Sequence, residues 1–270
     1  MRPGPYHSIE KAFRILERLA ERAPQGVTGI AGDLRLEKSG VSRLLKTLAE
    51  RGYAAQAGRR GEYQLGPRLL FLGERFLQGD RLVKEAGPVL KELAHAARAS
   101  AHLAVVVGDQ ILVVAKELSP ERIQVESHVG GRIAPHASAL GKVLLVGLPE
   151  IDRSTFLKGP LTRFTDRTIT DRGRLKGVLE EVRRQGYALE IGEEDPGVGC
   201  VAAPVRDATG RCVAALSVSG PLQGTPFRLD RKVRELTVAA ARELSRRMGY
   251  SDRMRSRVSV QGRQDVRASH

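Results

Sequence analysis

Cysteine is nearly absent: Cys200 and Cys212 are the only two in 270 residues. Two thiols cannot make a disulfide framework, and the scarcity suits a reducing compartment. Long apolar runs are missing as well. No stretch of 18 uncharged apolar residues occurs, so no membrane-spanning helix is expected. The N-terminus has no apolar secretory core. The expected setting is therefore cytoplasmic, with no membrane partner. The two glycine-rich spots, Gly130-Gly131 and Gly192 to Gly199, match neither a P-loop nor a dinucleotide fingerprint, so no nucleotide cofactor is indicated. His102, His128 and His136 offer no pair at i, i+4 on a helix, so no metal site is expected. His136 reads instead as a residue that caps or orients backbone.

Apolar residues make up 41% of the chain, enough for a proper core, and the length allows two domains. The net charge is +14 and unevenly spread. Residues 1–75 carry 14 Lys/Arg against 8 Asp/Glu, and residues 246–270 carry 7 against 2. The long middle, 76–245, is nearly balanced at 24 against 21. Basic ends point to a polyanion, most simply nucleic acid.

Glu37 to Gly52 reads as one short helix with two stripes. Val41, Leu44, Leu45 and Leu48 recur at i, i+3, i+4, i+7, the spacing of a buried face. Ser39, Ser42, Arg43 and Lys46 repeat that spacing two residues earlier, about 200° round the helix. Every member of the second stripe can donate to phosphate or to base edges. Such a face can also be merely solvated.

The flanks favour a DNA-reading role. A helix from Ser8 to about Arg22, a turn at Ala23 to Gly26, and a short helix from Thr28 to Leu34 precede it. Two short strands follow, 53–57 and 62–65, joined by Gly58-Arg59-Arg60-Gly61. Three short helices and a basic hairpin make a winged helix-turn-helix, in which the third helix enters the major groove. Gly29 and Gly32 weaken the second helix by about 0.8–1 kcal/mol each relative to Ala, so packing through Ile30 and Leu34 must hold it.

After Gly66-Pro67, Arg68 to Leu77 reads as a linker helix too apolar to stand free. A longer helix from Asp80 to Arg98 contains Pro88, which should kink or break it. Two Val/Leu/Ile-rich runs around Gly108-Asp109 form a hairpin. A third strand is expected over Arg122–His128. Helices follow at Ser138–Val146, Pro149–Leu157 and from Thr170 or Asp171 to Gly186. Strands at Tyr187–Ile191, Cys200–Val205 and Arg211–Ser219 precede a last helix from Leu229 to Met248. Six strands with flanking helices predict an α+β domain with a mainly antiparallel sheet. The domain bounds are 1–66 for the winged unit, 67–79 for the linker helix and 80–249 for the larger domain. Residues 250–270 form a basic tail read as disordered.

At this point the chain resembles a known family, the IclR-type bacterial transcriptional regulators. The likeness spans about residues 8–248. It rests on SIEKAFRILERLAE, LEKSGVSRLLKTLAERGY, YQLGPRLLFLG, PHASALGKVLL, FTDRTITD and GCVAAPVRD followed by AALSVSGP. The resemblance implies a winged helix-turn-helix, a connecting helix and a GAF-like effector-binding domain. It implies a homodimer or homotetramer on double-stranded operator DNA, controlled by a small organic or aromatic acid. The DNA-reading residues map onto Lys38, Ser39, Gly40, Ser42, Arg43 and Lys46, with Arg59 and Arg60 at the wing tip. The effector residues map onto Ala139, Glu190, Cys200, Ser217 and Ser219. No catalytic residue and no cofactor are implied. Arg35 stands where the family turn usually carries Gly, and Glu190 where Asp or Ser is common.

Taken alone, these positions keep other readings. Ser217 and Ser219 alternate on one strand and share a side. Together with the N–H groups at the helix beginning near Ser138 they could hold a carboxylate, or they could be the solvent side of an edge strand. Cys200 could be a small buried hydrophobe. Glu193, Glu194 and Asp195 read as solvated, with a role at a pocket mouth as the alternative. The competing functions are an enzyme with Cys200 as nucleophile, for which no base has convincing spacing, and a sequence-blind nucleoid-type binder.

Overall fold

The structure is a computed structural model that describes residues 6–58, 61–125 and 127–251. Arg59, Arg60 and residues 252–270 of the tail expected at 250–270 lie outside the described residues. The chain divides into two compact units, Met1–Asp80 and Arg81–His270.

The first unit opens with helix α1 (Tyr6–Glu21), strand β1 (Gln25–Gly26), helix α2 (Val27–Leu34) and helix α3 (Lys38–Glu50). Strands β2 (Ala54–Gln56) and β3 (Glu62–Leu65) and helix α4 (Arg68–Gly79) complete it. The expected caps differ from those observed. Ser8 lies inside α1, and the N-cap of α2 is Gly26 rather than Thr28. The expected turn at 23–26 contributes β1, whose two residues pair antiparallel with β3 to make a three-stranded sheet in the order β1-β3-β2. Ile15, Leu19, Ile30, Val41 and Leu45 form the buried centre of this unit. The two glycines of α2 are exposed, while Ile30 and Ala31 between them are buried.

Arg35 ends α2 in the left-handed region, at φ 53° and ψ 47°. Leu36 N–H reaches the Ala31 carbonyl at 2.9 Å and Arg35 N–H reaches Gly32 at 3.2 Å, which closes a Schellman-type cap. An arginine there costs about 1–2 kcal/mol of backbone strain. Helix α1 braces the turn: Arg14 donates to the Leu34 carbonyl at 3.1 Å, and Arg18 Nε donates to Asp33 at 2.9 Å. Relief of strain exceeds the roughly 0.4–1 kcal/mol by which glycine favours the unfolded chain. Arg35→Gly is thus expected to gain about 0.5 kcal/mol, read as a higher urea midpoint at unchanged slope.

The second unit begins with helix α5 (Arg81–Ala97) and the hairpin β4 (Ser100–Val107) and β5 (Gln110–Glu117). Helices α6 (Ala139–Gly147), α7 (Glu150–Phe156) and α8 (Arg172–Gln185) follow. Strands β6 (Ala188–Ile191), β7 (Val198–Arg206) and β8 (Cys212–Pro221) lead to helix α9 (Arg231–Arg247). The sheet has five antiparallel strands in the order β5-β4-β8-β7-β6. Among the described residues of 122–128 the expected strand does not form. The outer edge of β5 is occupied instead by 130–133, where Val113 N–H bonds the Gly131 carbonyl at 3.0 Å and Arg132 bridges to Leu112.

Pro88 does not break α5, which runs through it with Ala86, Val89, Leu90, Leu93, Ala94 and Ala97 buried. This tertiary packing outweighs the one ladder bond that proline removes. Helices α5 and α9 cover one sheet face, and α6 and α8 pack against the other. Asp171 and Asp230 cap α8 and α9, and Gly186 ends α8 at φ 80°.

Candidate functional site

Two surfaces carry the chemistry, one in each unit. On α3, Val41 and Leu45 are buried and Leu44 and Leu48 are half-buried, so the opposite side faces solvent. Lys38, Ser39, Ser42, Arg43 and Lys46 are all exposed there, and Gly40 is half-buried. The Ser39 hydroxyl donates to Glu37, and this bond holds the Glu37 carboxyl below its ordinary range. Arg43 and Lys46 place exposed hydrogen-bond donors on this face of the helix.

The second surface is a cavity of about 510 Å³ at one end of the sheet. Its origin is a change of side-chain type along the strands. On the face that packs against α6, β8 presents Ala215 and then Ser217 and Ser219; β7 presents Ala202 and then Cys200; β6 presents Ala188 and then Glu190; β4 presents Ala104 and then His102. The strand period of two keeps these on one side. Small apolar residues lie under α6, and polar ones begin where α6 starts. Register joins them into a row, with His102 opposite Ser217, Ser219 opposite Cys200, and Cys200 opposite Glu190. Thus Ala139, Glu190, Cys200, Ser217 and Ser219 all line one cavity.

His102 belongs to the same floor, and no motif spacing marked it. It is buried, with Nε2 at 2.8 Å from Ser127 Oγ and Nδ1 at 3.4 Å from Ser219 Oγ. Burial first, and then the Lys116 ammonium, push its pKa down to about 4, so the ring is neutral at physiological pH. Burial also pushes the Glu190 carboxyl up, and the Cys200 thiol is driven well above its ordinary value by burial and the adjacent Glu190. Such a thiol stays protonated and is a poor nucleophile.

Ser138 caps α6, accepting from Gly141 N–H at 3.0 Å, and the helix N-terminus opens onto the cavity at Ser138, Ala139 and Leu140. His136 does not cap; it bonds the Thr162 carbonyl at 2.8 Å and stacks on Phe164. The expectation of solvated charges at 193–195 is corrected for Glu193, which is ion-paired to buried Lys142. Glu194 and Asp195 line the cavity. Among the described residues no group of three or more His, Cys, Asp or Glu is placed to hold a metal ion. No helix of the described residues is long and apolar enough to cross a membrane.

A winged helix-turn-helix with a donor-rich third helix, followed by a domain holding a cavity floored by polar side chains, defines a ligand-responsive DNA-binding regulator. Comparison with known proteins gives the family. Residues 8–58 match the IclR helix-turn-helix domain, and residues 74–247 match the bacterial transcriptional regulator IclR C-terminal domain. The chain belongs to the IclR family of transcriptional regulators, with an N-terminal DNA-binding domain and a C-terminal effector-binding domain.

Among curated relatives, it is 36% identical to the HTH-type transcriptional regulator KdgR of Escherichia coli over 93% of this chain and 95% of that one. It is 36% identical to the regulator BhcR of Paracoccus denitrificans over 90% and 87% of the two chains. Among solved structures, an IclR transcriptional regulator from Alicyclobacillus acidocaldarius superposes with a TM-score of 0.79 at 26% identity, covering 90% of this chain and 97% of that one. An IclR homologue from Microbacterium hydrocarbonoxydans, solved in complex with 4-hydroxybenzoate, gives 0.76 at 27% identity over 90% and 100%.

Proposed function

We propose that this regulator reads its operator through the exposed face of α3 and is switched by a small organic acid held in the cavity of the second unit. The observation that carries this reading is the gathering of the five effector positions, together with His102, around the N-terminus of α6. Two first-turn N–H groups of that helix and the Ser217 and Ser219 hydroxyls are the natural holders of a carboxylate. The 4-hydroxybenzoate bound to the Microbacterium relative is an acid of the same kind. The Arg59-Arg60 pair is assigned to the flanking phosphate backbone or the minor groove.

The acting species is a homo-oligomer, at least a dimer, working in the cytoplasm where operator DNA is found. Ile9 and Phe13 on α1 and Leu70, Leu72 and Phe76 on α4 are exposed, and α4 buries no residue at all. A second copy of the chain is the cover for this apolar surface. Two-fold pairing places two α3 helices about 34 Å apart or a multiple of it, matching half-sites on one side of the duplex. Ligand affinity that differs between two quaternary arrangements sets the size of the switch, and α4 is the element assigned to transmit it.

Arg43→Ala tests the reading face. Operator affinity should fall by about 1–3 kcal/mol with relaxed discrimination at one base pair if Arg43 reads a base edge, as measured by fluorescence anisotropy on an operator and its single-site variants. An unchanged affinity removes Arg43 from the interface. A uniform fall over all sequences assigns it to phosphate.

A further inference from the structure

The cavity is acidic where an acid is to be bound, and this sets a condition on binding. Glu190 is 2% exposed and sits at the floor beside the Cys200 thiol. Its Oε1 accepts the Glu193 N–H at 2.5 Å, and among the described residues it has no cationic partner. Charged and titratable groups surround it from several elements, and from the segment after β5 His128 lines the same cavity. From the loop after β6, Glu194 adds negative charge to that of Glu190, the charge of Glu193 being offset by Lys142, and Asp195 stands next to Glu194 at the cavity wall. From α6, Lys142 is the nearest buried cation, but its ammonium is held by Glu193 and, at 3.3 Å, by the Leu189 carbonyl. From β4, His102 is neutral. From β7 and β8, Cys200 and Ser219 are uncharged. Arg132 at the cavity wall and Arg167 beside Gly192 are exposed and screened by water.

We infer that Glu190 receives the effector as a carboxylic acid, donating its proton to the ligand carboxylate, so that binding takes up one proton and the site selects monocarboxylates over dicarboxylates. The inference rests on the organic-acid reading of this cavity and deepens it. An anion placed beside an ionised, buried Glu190 meets a like charge with no cation between them. The carboxylic acid form turns that repulsion into a charge-assisted O–H···O bond. The negative side chains at the mouth remain, and they oppose a second charge on the ligand. Glutamate suits this role where serine would not, since it alone offers a proton that responds to the ligand. Ligand charge raises the carboxyl further, so affinity rises as pH falls, by up to about tenfold per pH unit for one linked proton.

The test uses the full-length wild-type protein and Glu190→Gln, whose amide copies the donor of the acid and cannot ionise. The probes are 4-hydroxybenzoate, lactate and gluconate, each set against a dicarboxylate of similar size: terephthalate, malate and glucarate. Thermal shift and calorimetry at pH 5.5 and 8 should show at least one monocarboxylate binding more tightly at the lower pH and its dicarboxylate counterpart binding more weakly. Calorimetry in buffers of different ionisation heat should show uptake of one proton. E190Q should bind the same monocarboxylate about equally at both pH values, and at pH 8 more tightly than wild type. If a probe binds wild type without proton uptake and E190Q binds it more weakly at both pH values, Glu190 acts as a charged acceptor and the inference fails while the organic-acid reading stands. Should no probe bind at either pH, the organic-acid reading falls and takes the inference with it. The wild-type proton count is independent of how well E190Q folds.

Discussion

Lys142→Met is expected to destabilise the second unit by about 3–5 kcal/mol, the usual result of removing one partner of a buried ion pair. Lys142 lies in α6 and is 1% exposed, one of the largest fully buried side chains among the described residues. Its ammonium is ion-paired to Glu193 and donates to the Leu189 carbonyl at 3.3 Å. The other Glu193 oxygen, Oε2, is buried without a hydrogen-bond partner among the described residues, so Lys142 supplies the main compensation for that carboxylate. Methionine fills nearly the same volume, which keeps the cavity cost small and isolates the electrostatic one. Glu193 is also a junction. Its N–H donates to Glu190, and its carbonyl accepts from Thr168 Oγ1 at 2.6 Å. The variant should therefore weaken effector binding along with stability. Urea unfolding followed by circular dichroism gives the first, and the effector-induced shift in melting temperature gives the second. Adding Glu193→Leu should recover most of the lost stability, since an apolar pair of similar volume is often neutral or better. It should not recover effector binding if the carboxylate geometry of the loop matters there. A single variant as stable as wild type would mean that water already reaches the pair.

The ease of reading the sequence varied with how local each signal was. The stripes on α3, the cap of α8 expected at Thr170 or Asp171 and found at Asp171, and the glycine ending α8 depend on neighbours within one or two turns, and the observed elements carry them. Arg35 stands out through the family likeness, at a position where the turn usually carries Gly, and the structure has it left-handed at φ 53°. The strand expected at 122–128 rests on local propensity alone, and the edge of β5 is taken by 130–133 instead. The kink or break expected at Pro88 reflects a local cost, and the six residues of α5 buried by tertiary packing outweigh it in the continuous helix. The five effector positions came through the family likeness, and alternation along a strand explains Ser217 and Ser219. His102 and Lys142 had no such signal. Each lies far along the chain from what it meets, His102 at 117 residues from Ser219 and Lys142 at 51 from Glu193. Register and helix packing bring them together, and neither can be counted off in the sequence.

Gly141→Ala should be the most damaging single methyl in the second unit. An added Cβ would lie 2.5 Å from the Pro135 carbonyl oxygen, 2.6 Å from that of Ala134 and 2.7 Å from the Pro135 Cα. All three are backbone atoms, so no side chain can swing aside; either α6 or the segment before it must move. Overpacking typically costs about 1–3 kcal/mol, and with a backbone wall the expected loss is near the upper limit, about 3 kcal/mol. The movement falls on the cavity, because Ser138, Ala139 and Leu140 line it and the Ser138 hydroxyl is bonded both to Gly141 N–H and, at 2.7 Å, to the Ala134 carbonyl. Displacing these atoms shifts the N–H groups assigned to the ligand carboxylate, and a misplacement of about 1 Å is enough to lose most of their contribution. G141A is thus expected to lower the melting temperature and to abolish the shift produced by a bound acid. Gly177→Ala is the matched control. Gly177 lies exposed within α8, and a Cβ there would meet nothing within 4 Å. The same change should stabilise the helix by about 0.8–1 kcal/mol and leave ligand response intact. If both variants unfold alike in urea and respond alike to ligand, the close contact at Gly141 does not hold the N-terminus of α6 in place.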